Sequence, residues 1–247
     1  MKKISLLIVM LVLAIGVKAQ GHFIVPVVGL NGSGALFYGT SFVKDGVKYD
    51  FSQYPKLKLG LSAGVNYRYE SKRRVVFETG FNYNQYGYAF KDLYNESGKI
   101  VWDYSIRYHH FSVPAMVGYM FVVGRNQTFT LTPKLGIQLG YYTNMEQKYN
   151  YLDADNQENS FDEKKAVVNG VDIAQILDIE FGWTVNRIMD IFVSVTERYS
   201  FRNLFNVNDY NNGVFVVEQD IYAVRGDVFN YSLGVNVGLR INLSGQR

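Results

Sequence analysis

The sequence contains no cysteine, and its charges nearly cancel, with a formal net charge of +3. Without cysteine the protein has neither a disulfide framework nor thiolate metal sites. The small net charge gives no reason to expect a nucleic-acid partner. These absences restrict the kinds of site that the chain can build, but they say little about its fold.

Long apolar runs are also missing once the first 19 residues have passed. Every apolar run in residues 20–247 is interrupted within a few residues by Gly, Asn or a charged residue. A membrane-spanning helix needs about 20 consecutive apolar residues. The sequence therefore excludes a helical membrane protein, whereas the strands of a membrane barrel alternate and never produce such a run.

The first 19 residues have the three parts of a secretory signal peptide. Lys2 and Lys3 form a basic start, 14 mostly apolar residues follow from Ile4 to Val17, and small residues flank the end at Ala19. We predict a cleaved signal peptide over residues 1–19 and a single domain over residues 20–247. The alternative is an uncleaved N-terminal anchor, for which the apolar run is short.

Alternation of apolar with small or polar residues is the main pattern of the rest of the chain. It is clearest near the end, where eight apolar positions, from Phe229 to Leu243, alternate with Asn, Ser, Gly and Arg. A strand with one face on lipid and the other on a lumen has this period of two. The high aromatic content of 16% fits such strands and their ends at the lipid headgroups. Eight candidate strands follow: residues 23–38, 57–69, 75–84, 111–121, 129–141, 177–185, 191–197 and 229–243.

The connections between these candidate strands alternate between long and short. The short ones are residues 70–74, 122–127 and 186–190, and the long ones are residues 39–56, 87–103, 142–170 and 202–227. Short periplasmic turns and long external loops are typical of outer-membrane barrels. We therefore predict an all-β fold, a closed antiparallel transmembrane barrel of about eight strands in the bacterial outer membrane, with both termini on the periplasmic side.

Two alternatives to this architecture stay open. A secreted lipocalin-like barrel would place its apolar faces inside, but the polar faces here carry few of the Lys and Glu residues of a wet surface. Val214–Val217 and Ile221–Val224 are apolar enough to form strands, which would make the barrel ten-stranded. Both runs are shorter than the roughly 9–11 residues of a tilted membrane strand, so we expect them to extend a hairpin outside the membrane.

The predicted lumen contains charges of both signs. An eight-stranded barrel is just wide enough for its interior to be filled by side chains. Buried charges must be paired or hydrated, so we expect a plug of ion pairs, with a selective channel as the alternative. The expected lumen charges are Lys58, Arg68, Glu78, Lys134, Asp178, Glu180, Arg198 and Arg240.

No constellation of residues indicates catalysis, and we predict neither a catalytic nor a cofactor nor a metal site. The three histidines are His22, His109 and His110. None has another ligand at a recognised spacing, and we expect the adjacent pair to lie at the membrane interface. We predict that the protein is not an enzyme. A membrane-embedded hydrolase or acyltransferase would need a nucleophile or an acid that converges with one of these histidines near a rim.

Several short motifs, in order along the chain, resemble those of the PorT-like outer-membrane β-barrel proteins. Gly29-Leu30-Asn31 is similar to an element of the first strand, and the run from Glu78 to Gly87 to one of the third. Val113-Pro114 is similar to the opening of the fourth strand, and Arg198-Tyr199-Ser200 to an element of the seventh. The chain departs from the family pattern at Tyr86, where lysine is common, and in lacking glycine after Ser200.

This resemblance implies an integral outer-membrane barrel with a structural or partner-binding role through its external loops. A few members are linked to protein secretion, so the expected partners are outer-membrane lipid and other envelope or secretion proteins. Function does not follow from a shared barrel, because it resides in loops and sites. The sequence leaves two alternatives to this role, namely a small passive channel for solutes or ions and the membrane-embedded enzyme.

Overall fold

A computed structural model describes residues 19–44, 47–50, 56–94, 100–124, 128–152, 158–165, 170–201, 214–217, 220–223 and 225–243. These residues form strands and turns. None of these residues belongs to a helix that is long and apolar enough to cross a membrane. The predicted signal peptide falls almost entirely on residues 1–18, which lie outside the described part of the chain.

The described residues form thirteen strands: β1 (Ala19–Lys44), β2 (Val47–Asp50), β3 (Lys56–Ser71), β4 (Val75–Tyr94), β5 (Ile100–Tyr119), β6 (Phe121–Val123), β7 (Phe129–Leu152), β8 (Glu158–Lys165), β9 (Val171–Thr184), β10 (Met189–Ser200), β11 (Val214–Val217), β12 (Asp220–Ala223) and β13 (Arg225–Asn242). Eight long strands among them close into an antiparallel barrel. Their order around the wall is β13-β10-β9-β7-β5-β4-β3-β1, and β1 pairs with β13 to complete the circle, with Val27 opposite Gly238.

The five short strands lie outside the eight-stranded wall or extend it. β2 pairs with β1, while β6 and β8 pair with β7. β11 and β12 pair only with each other, in a separate two-stranded sheet. The eight-stranded prediction is therefore confirmed, and β11 and β12 add no strand to the wall. They form their own small hairpin rather than an extension of the β10–β13 hairpin.

The alternating faces have the predicted orientation. Many apolar residues of β13 and β3 face outward and are half exposed or more, such as Val237 at 50% and Leu59 at 74%. Their neighbours Asn66, Ser232 and Arg240 are buried inside. A soluble barrel would reverse this arrangement, because its apolar side chains must fill the interior. The outward apolar band is the surface that a membrane barrel turns to lipid.

The first strand departs from this scheme, and the reason is a small apolar core inside the lumen. Phe23 and Val25 of β1 point inward and pack with Phe192 of β10, and Val27 lies against them. Gly238 of β13 lies between the two strands, and a Cβ there would come within 2.4 Å of the Phe192 ring. Apolar residues therefore lie on both faces of β1 at this end, and the strand does not alternate strictly between apolar and polar residues.

The two ends of the barrel differ. We call the end with the short connections the turn rim, which includes residues 72–74, 124, 128 and 185–188, and the opposite end the loop rim. Two of the turns are fixed locally: Arg74 adopts a left-handed φ of 65°, and the Asn186 side chain accepts hydrogen bonds from the backbone of Ile188 and Met189. β1 begins and β13 ends at the turn rim, where the Leu243 amide donates to the His22 carbonyl.

At the loop rim the predicted connections are mostly strand, so their predicted bounds are wrong. β1 continues to Lys44, β4 to Tyr94 and β7 to Leu152, and β8 pairs back onto β7 as far as Lys165 opposite Met145. Strands outside lipid need no apolar face, so the alternation that reveals a membrane strand disappears from the sequence while the pairing continues. Within the described residues, the first three long connections are therefore largely paired strands.

Candidate functional site

The largest group of charges lies in the lumen toward the turn rim, and we call it the turn-side cluster. It brings together six of the eight predicted lumen charges with two further carboxylates. Each residue is at least nine-tenths buried. The members of the cluster are Arg68, Glu70, Glu78, Lys134, Asp178, Glu180, Asp190 and Arg240.

Arg68 spans the lumen from one wall to the other. Its Nε and Nη2 donate to Glu78 Oε2 on the neighbouring strand β4, at 2.9 and 2.8 Å. Its Nη1 donates to Glu180 Oε1 at 2.9 Å, and Nη2 also bonds to Glu180. Glu180 belongs to β9, which is four strands away from β3 in either direction around the barrel. One guanidinium thus joins opposite walls through charge-assisted bonds.

Lys134 joins the same carboxylates from a third direction. Its Nζ lies 3.0 Å from Glu78 Oε2, 2.9 Å from Asp178 Oδ2 and 3.0 Å from Glu180 Oε2. Two of its N–H groups donate to Glu78 and Glu180, and Asp178 lies within ion-pair distance. Gly118 opposite Lys134 leaves the space for the side chain, since a Cβ there would lie 2.7 Å from its Cγ.

Arg240 closes the remaining side of the cluster. It lies across Gly182, and its Nη2 donates to Thr130 Oγ1 at 3.0 Å and lies 3.3 Å from Asp190 Oδ2. Its Nη1 lies 3.6 Å from Glu180 Oε1. The members of the turn-side cluster come from six of the eight wall strands, and the bond between Arg68 and Glu180 joins opposite walls.

Arg198, the seventh predicted lumen charge, belongs to a second group nearer the loop rim. In this loop-side cluster, Arg198 Nη2 bonds to Asp172 and donates to the Tyr142 hydroxyl at 3.2 Å. Its guanidinium carbon lies 4.8 Å from the centroid of the Tyr86 ring. Asp172 also accepts from Ser200 and has His110 Nε2 at 3.1 Å. The cluster consists of Tyr86, Tyr108, His110, Tyr142, Asp172, Arg198 and Ser200.

Lys58, the eighth predicted lumen charge, joins neither cluster. It is half-buried on β3 near the loop rim, and its Nζ donates to Ser105 Oγ at 3.1 Å. Sequence reasoning also missed Glu70, Asp172, Asp190 and His110 as lumen residues. Each continues the alternation of its strand just beyond the bounds that we predicted, so a longer strand would have included them. With them the lumen is richer in carboxylates than the sequence suggested.

The two adjacent histidines separate, because successive residues of a strand point to opposite faces. His109 faces outward and shares a 2.6 Å hydrogen bond with the Tyr83 hydroxyl, as expected for the interface. His110 points inward and is fully buried, so the interfacial prediction is wrong for it. Among the described residues, no group of three or more His, Asp or Glu is arranged to hold a metal ion.

A membrane-embedded enzyme would need a nucleophile or an acid beside one of the histidines, and the described residues meet this requirement only in part. His110 lies beside Asp172, but the Ser200 hydroxyl donates to the carboxylate and not to the imidazole. Asp172 is also held by Arg198. A nucleophile must have its hydroxyl within hydrogen-bond reach of the base, and the site must admit a substrate. Asp172, His110 and Ser200 are at most 1% exposed, so the group does not have the geometry of a hydrolase.

A cavity of about 80 Å³ separates the two clusters. Its floor includes Glu78, Lys134 and Asp178, and Arg198 lines it from the other side. A hydrogen-bonded chain crosses its wall: Ser62 donates to Asn236, Asn236 to Thr196, and Thr196 to Asp178. Four of its apolar lining residues are Val27, Met116, Ile176 and Phe192.

Each motif behind the PorT-like resemblance has at least one residue inside the barrel. Asn31 lies in the cavity wall, Glu78 in the turn-side cluster and Arg198 in the loop-side cluster, and Pro114 is buried on β5. Other motif residues, such as Leu30 and Val113, face outward.

Comparison with known proteins gives a family for the chain. A family model described as an outer membrane protein beta-barrel domain matches residues 24–206. No curated protein matches. Among solved structures, OprG from Pseudomonas aeruginosa is 10% identical with a TM-score of 0.46, covering 92% of this chain and 98% of its own. Neisserial surface protein A is 12% identical with a TM-score of 0.40, covering 92% and 99%. Ail of Yersinia pestis is 14% identical with a TM-score of 0.34, covering 90% and 99%.

Proposed function

Since the chain belongs to the outer membrane protein β-barrel family, we propose that it is a non-conducting scaffold whose loop-rim hairpins bind partner proteins. As an integral protein of the bacterial outer membrane, it has lipid around its wall and two candidate working surfaces, the lumen and the rims. In this proposal the lumen is structural and the loop rim is functional. The partners are other envelope proteins. In a more specific form of this proposal, the protein has a PorT-like role in protein secretion.

The observation that carries this proposal is the closure of the lumen. Arg68 bonds to Glu180 on the opposite wall, and Lys134 contacts carboxylates from β4 and β9. Both cations are at most 3% exposed. A conducting pore needs a continuous aqueous path, which buried ion pairs across the full width interrupt. The space between the two clusters measures only about 80 Å³, and the turn-side cluster lies between it and the turn rim.

The hairpins at the loop rim supply the surface for partners. β7 has 24 residues and β1 has 26, whereas a tilted membrane strand needs roughly 9–11. The excess projects from the membrane as paired strands, such as β7 with β8 from Met145 opposite Lys165 to Leu152 opposite Glu158. Paired strands restrict the conformations of a loop, so a partner meets a surface that loses less entropy on binding.

Shortening the β7–β8 hairpin tests this proposal. A variant that lacks residues 147–163, joined by a short turn, should still fold and reach the outer membrane, because the deletion leaves the lipid-facing wall intact. We expect it to lose envelope proteins that cross-link to the wild type in native membranes. An equal number of residues inserted at the turn after Arg74 serves as a control and should leave the captured partners unchanged.

Two outcomes would contradict the proposal. One is a wild-type barrel that cross-links to no envelope protein in native membranes, although the cross-linker is attached at several hairpin positions. The other is loss of the same partners from the control. Capture of secretion proteins would support the PorT-like version, and capture of other envelope proteins would support only the broader one.

A further inference from the structure

The turn between β3 and β4 carries three consecutive cations. We call Lys72, Arg73 and Arg74 the basic turn, and all three residues are exposed at the turn rim. The backbone of the turn is tightly held: the Arg74 amide donates to the Ser71 carbonyl at 2.9 Å, and the Arg74 carbonyl accepts at 2.9 Å from the amide of Met120, which lies between β5 and β6. Three positive side chains are therefore concentrated on one well-fixed turn.

Arg74 has a backbone conformation that other residue types adopt more easily. Its φ of 65° is left-handed, and no other non-glycine residue in the described part of the chain has a positive φ. Glycine or asparagine adopts this conformation at lower cost, as Gly124 does after β6 with a φ of 88°. Strained residues of this kind are concentrated at functional sites. The requirements of the turn therefore do not explain an arginine here, whereas a ligand for its guanidinium would.

No exposed carboxylate in the described part of the turn rim balances these cations. Glu70 and Asp190, which adjoin the turns in sequence, are at most 5% exposed and belong to the turn-side cluster inside the lumen. Glu70 Oε1 lies 3.6 Å from Arg68 Nη1, and Asp190 Oδ2 lies 3.3 Å from Arg240 Nη2. Arg187 adds a fourth exposed cation on the opposite side of the rim. All exposed charges of the described rim are therefore positive, and the complementary partner is a surface with negative charge.

An aromatic surface on the outer wall adjoins the basic turn. Tyr69 and Phe77 stand opposite each other on β3 and β4, with ring centroids 6.2 Å apart. Tyr119 and Phe121 continue this surface on β5 and β6, with ring centroids 4.9 Å apart. Phe77, Tyr119 and Phe121 are between 43% and 47% exposed. Aromatic residues of a membrane barrel form girdles at the level of the lipid headgroups, so the basic turn beside them lies at the depth of the phosphates.

From these observations we infer that the basic turn and the adjoining aromatic surface bind an anionic phospholipid of the phosphatidylglycerol class in the periplasmic leaflet. Short connections of outer-membrane barrels lie on the periplasmic side. Arg and Lys donate charge-assisted hydrogen bonds to phosphate, and basic segments beside a membrane attract anionic lipids. A zwitterionic headgroup fits less well, because its ammonium meets no exposed carboxylate among the described residues of this rim. The lipid site is independent of the proposed scaffold role, which belongs to the opposite end of the barrel.

Competition between two lipids measures this preference. The purified barrel is incubated in detergent with equimolar phosphatidylglycerol and phosphatidylcholine of the same acyl chains, and native mass spectrometry counts the lipids that it retains. We expect the wild type to retain mainly phosphatidylglycerol. Arg73→Gln with Arg74→Asn removes two cations, and asparagine tolerates the left-handed conformation, so the preference should fall roughly tenfold or more. The matched control, Lys56→Gln with Arg107→Gln, removes equal charge toward the loop rim and should keep the preference.

A second measurement uses the wild type alone and does not depend on the folding of a variant. The thermal midpoint should be higher in phosphatidylcholine vesicles that contain phosphatidylglycerol than in those without it, and high salt should remove the difference, because exposed charges are screened. Polyglutamate should not displace the retained lipid, because it has no acyl chains for the aromatic surface. Equal retention of both lipids by the wild type, equal losses in the double variant and its control, or an unchanged midpoint would overturn the proposal. Displacement by polyglutamate would overturn it in favour of an acidic protein partner.

Discussion

Single residues decide how the interior of this barrel is filled. Glu180 is an example: it is fully buried and accepts from Arg68 and Lys134, with Arg240 close by. None of these three cations has solvent as an alternative partner, since each is at most 3% exposed. In a lumen of this kind the loss of one carboxylate leaves buried charge uncompensated, which is more harmful than the absence of the whole cluster would be.

Replacement of Glu180 by glutamine should therefore destabilise the barrel strongly. The amide keeps the shape but removes the charge that balances Arg68 and Lys134, and we expect a loss of about 3–5 kcal/mol. Urea unfolding in lipid vesicles, followed by the fluorescence of the outward-facing Trp183, measures it. Glu197→Gln, on the outer face of β10, is the control and should change stability by less than about 1 kcal/mol. Equal effects of the two substitutions would contradict the assigned role of Glu180.

The glycine at position 238 has a comparable effect through packing. A Cβ there would lie 2.4 Å from Phe192 Cζ and 2.6 Å from the Pro26 carbonyl oxygen. Gly238→Ala should thus displace Phe192 from Val25 and Phe23 and cost about 1–3 kcal/mol. Gly32→Ala is the matched control, because its Cβ would meet nothing nearer than 3.9 Å. Urea unfolding followed by Trp183 fluorescence compares the two variants. If the Gly238→Ala barrel is as stable as the Gly32→Ala barrel, the Phe192 contact contributes little to stability.

At the scale of the strand, the sequence predicts the lipid face well and the water-exposed ends poorly. Leu59, Leu61 and Val65 alternate because each must contact lipid, and this requirement is visible residue by residue. The projecting ends of β4 and β7 have no such requirement, so their pairing leaves no periodic signal. The inward apolar residues Phe23 and Val25 were also unpredictable from β1 alone, since their partner Phe192 comes from β10.

The turns at the turn rim are the elements that hold the strands in register, and one of them is open to a simple test. Asn186 Oδ1 accepts from the Ile188 and Met189 amides at 2.8 and 2.9 Å. Asn186→Ala leaves both donors to water and should lower stability by about 1 kcal/mol. Asn186→Asp preserves the acceptor and should retain most of the stability. If the two variants have the same unfolding midpoint, the capping role of this side chain is contradicted.

At the scale of the whole molecule, closure of the barrel creates the contacts that matter most. Arg68 and Glu180 are 112 residues apart in sequence, and nothing local relates them. Composition and alternation predict that both point inward, but which carboxylate meets which cation depends on the strand order and on the pairing of β1 with β13. The division of the lumen into two clusters with a cavity between them follows from the same closure, so it too was beyond sequence reasoning.

Conductance across a planar bilayer tests the central claim of a closed lumen most directly. The purified wild-type barrel should give no single-channel steps, because Arg68, Lys134 and Arg240 cross-link the lumen from wall to wall. A barrel with Arg68→Ala and Glu180→Ala loses the bond between opposite walls and should show steps, whereas Lys58→Ala, outside both clusters, should stay silent. Reproducible steps from the wild type, equal to those of the double variant, would contradict the account and favour a passive channel.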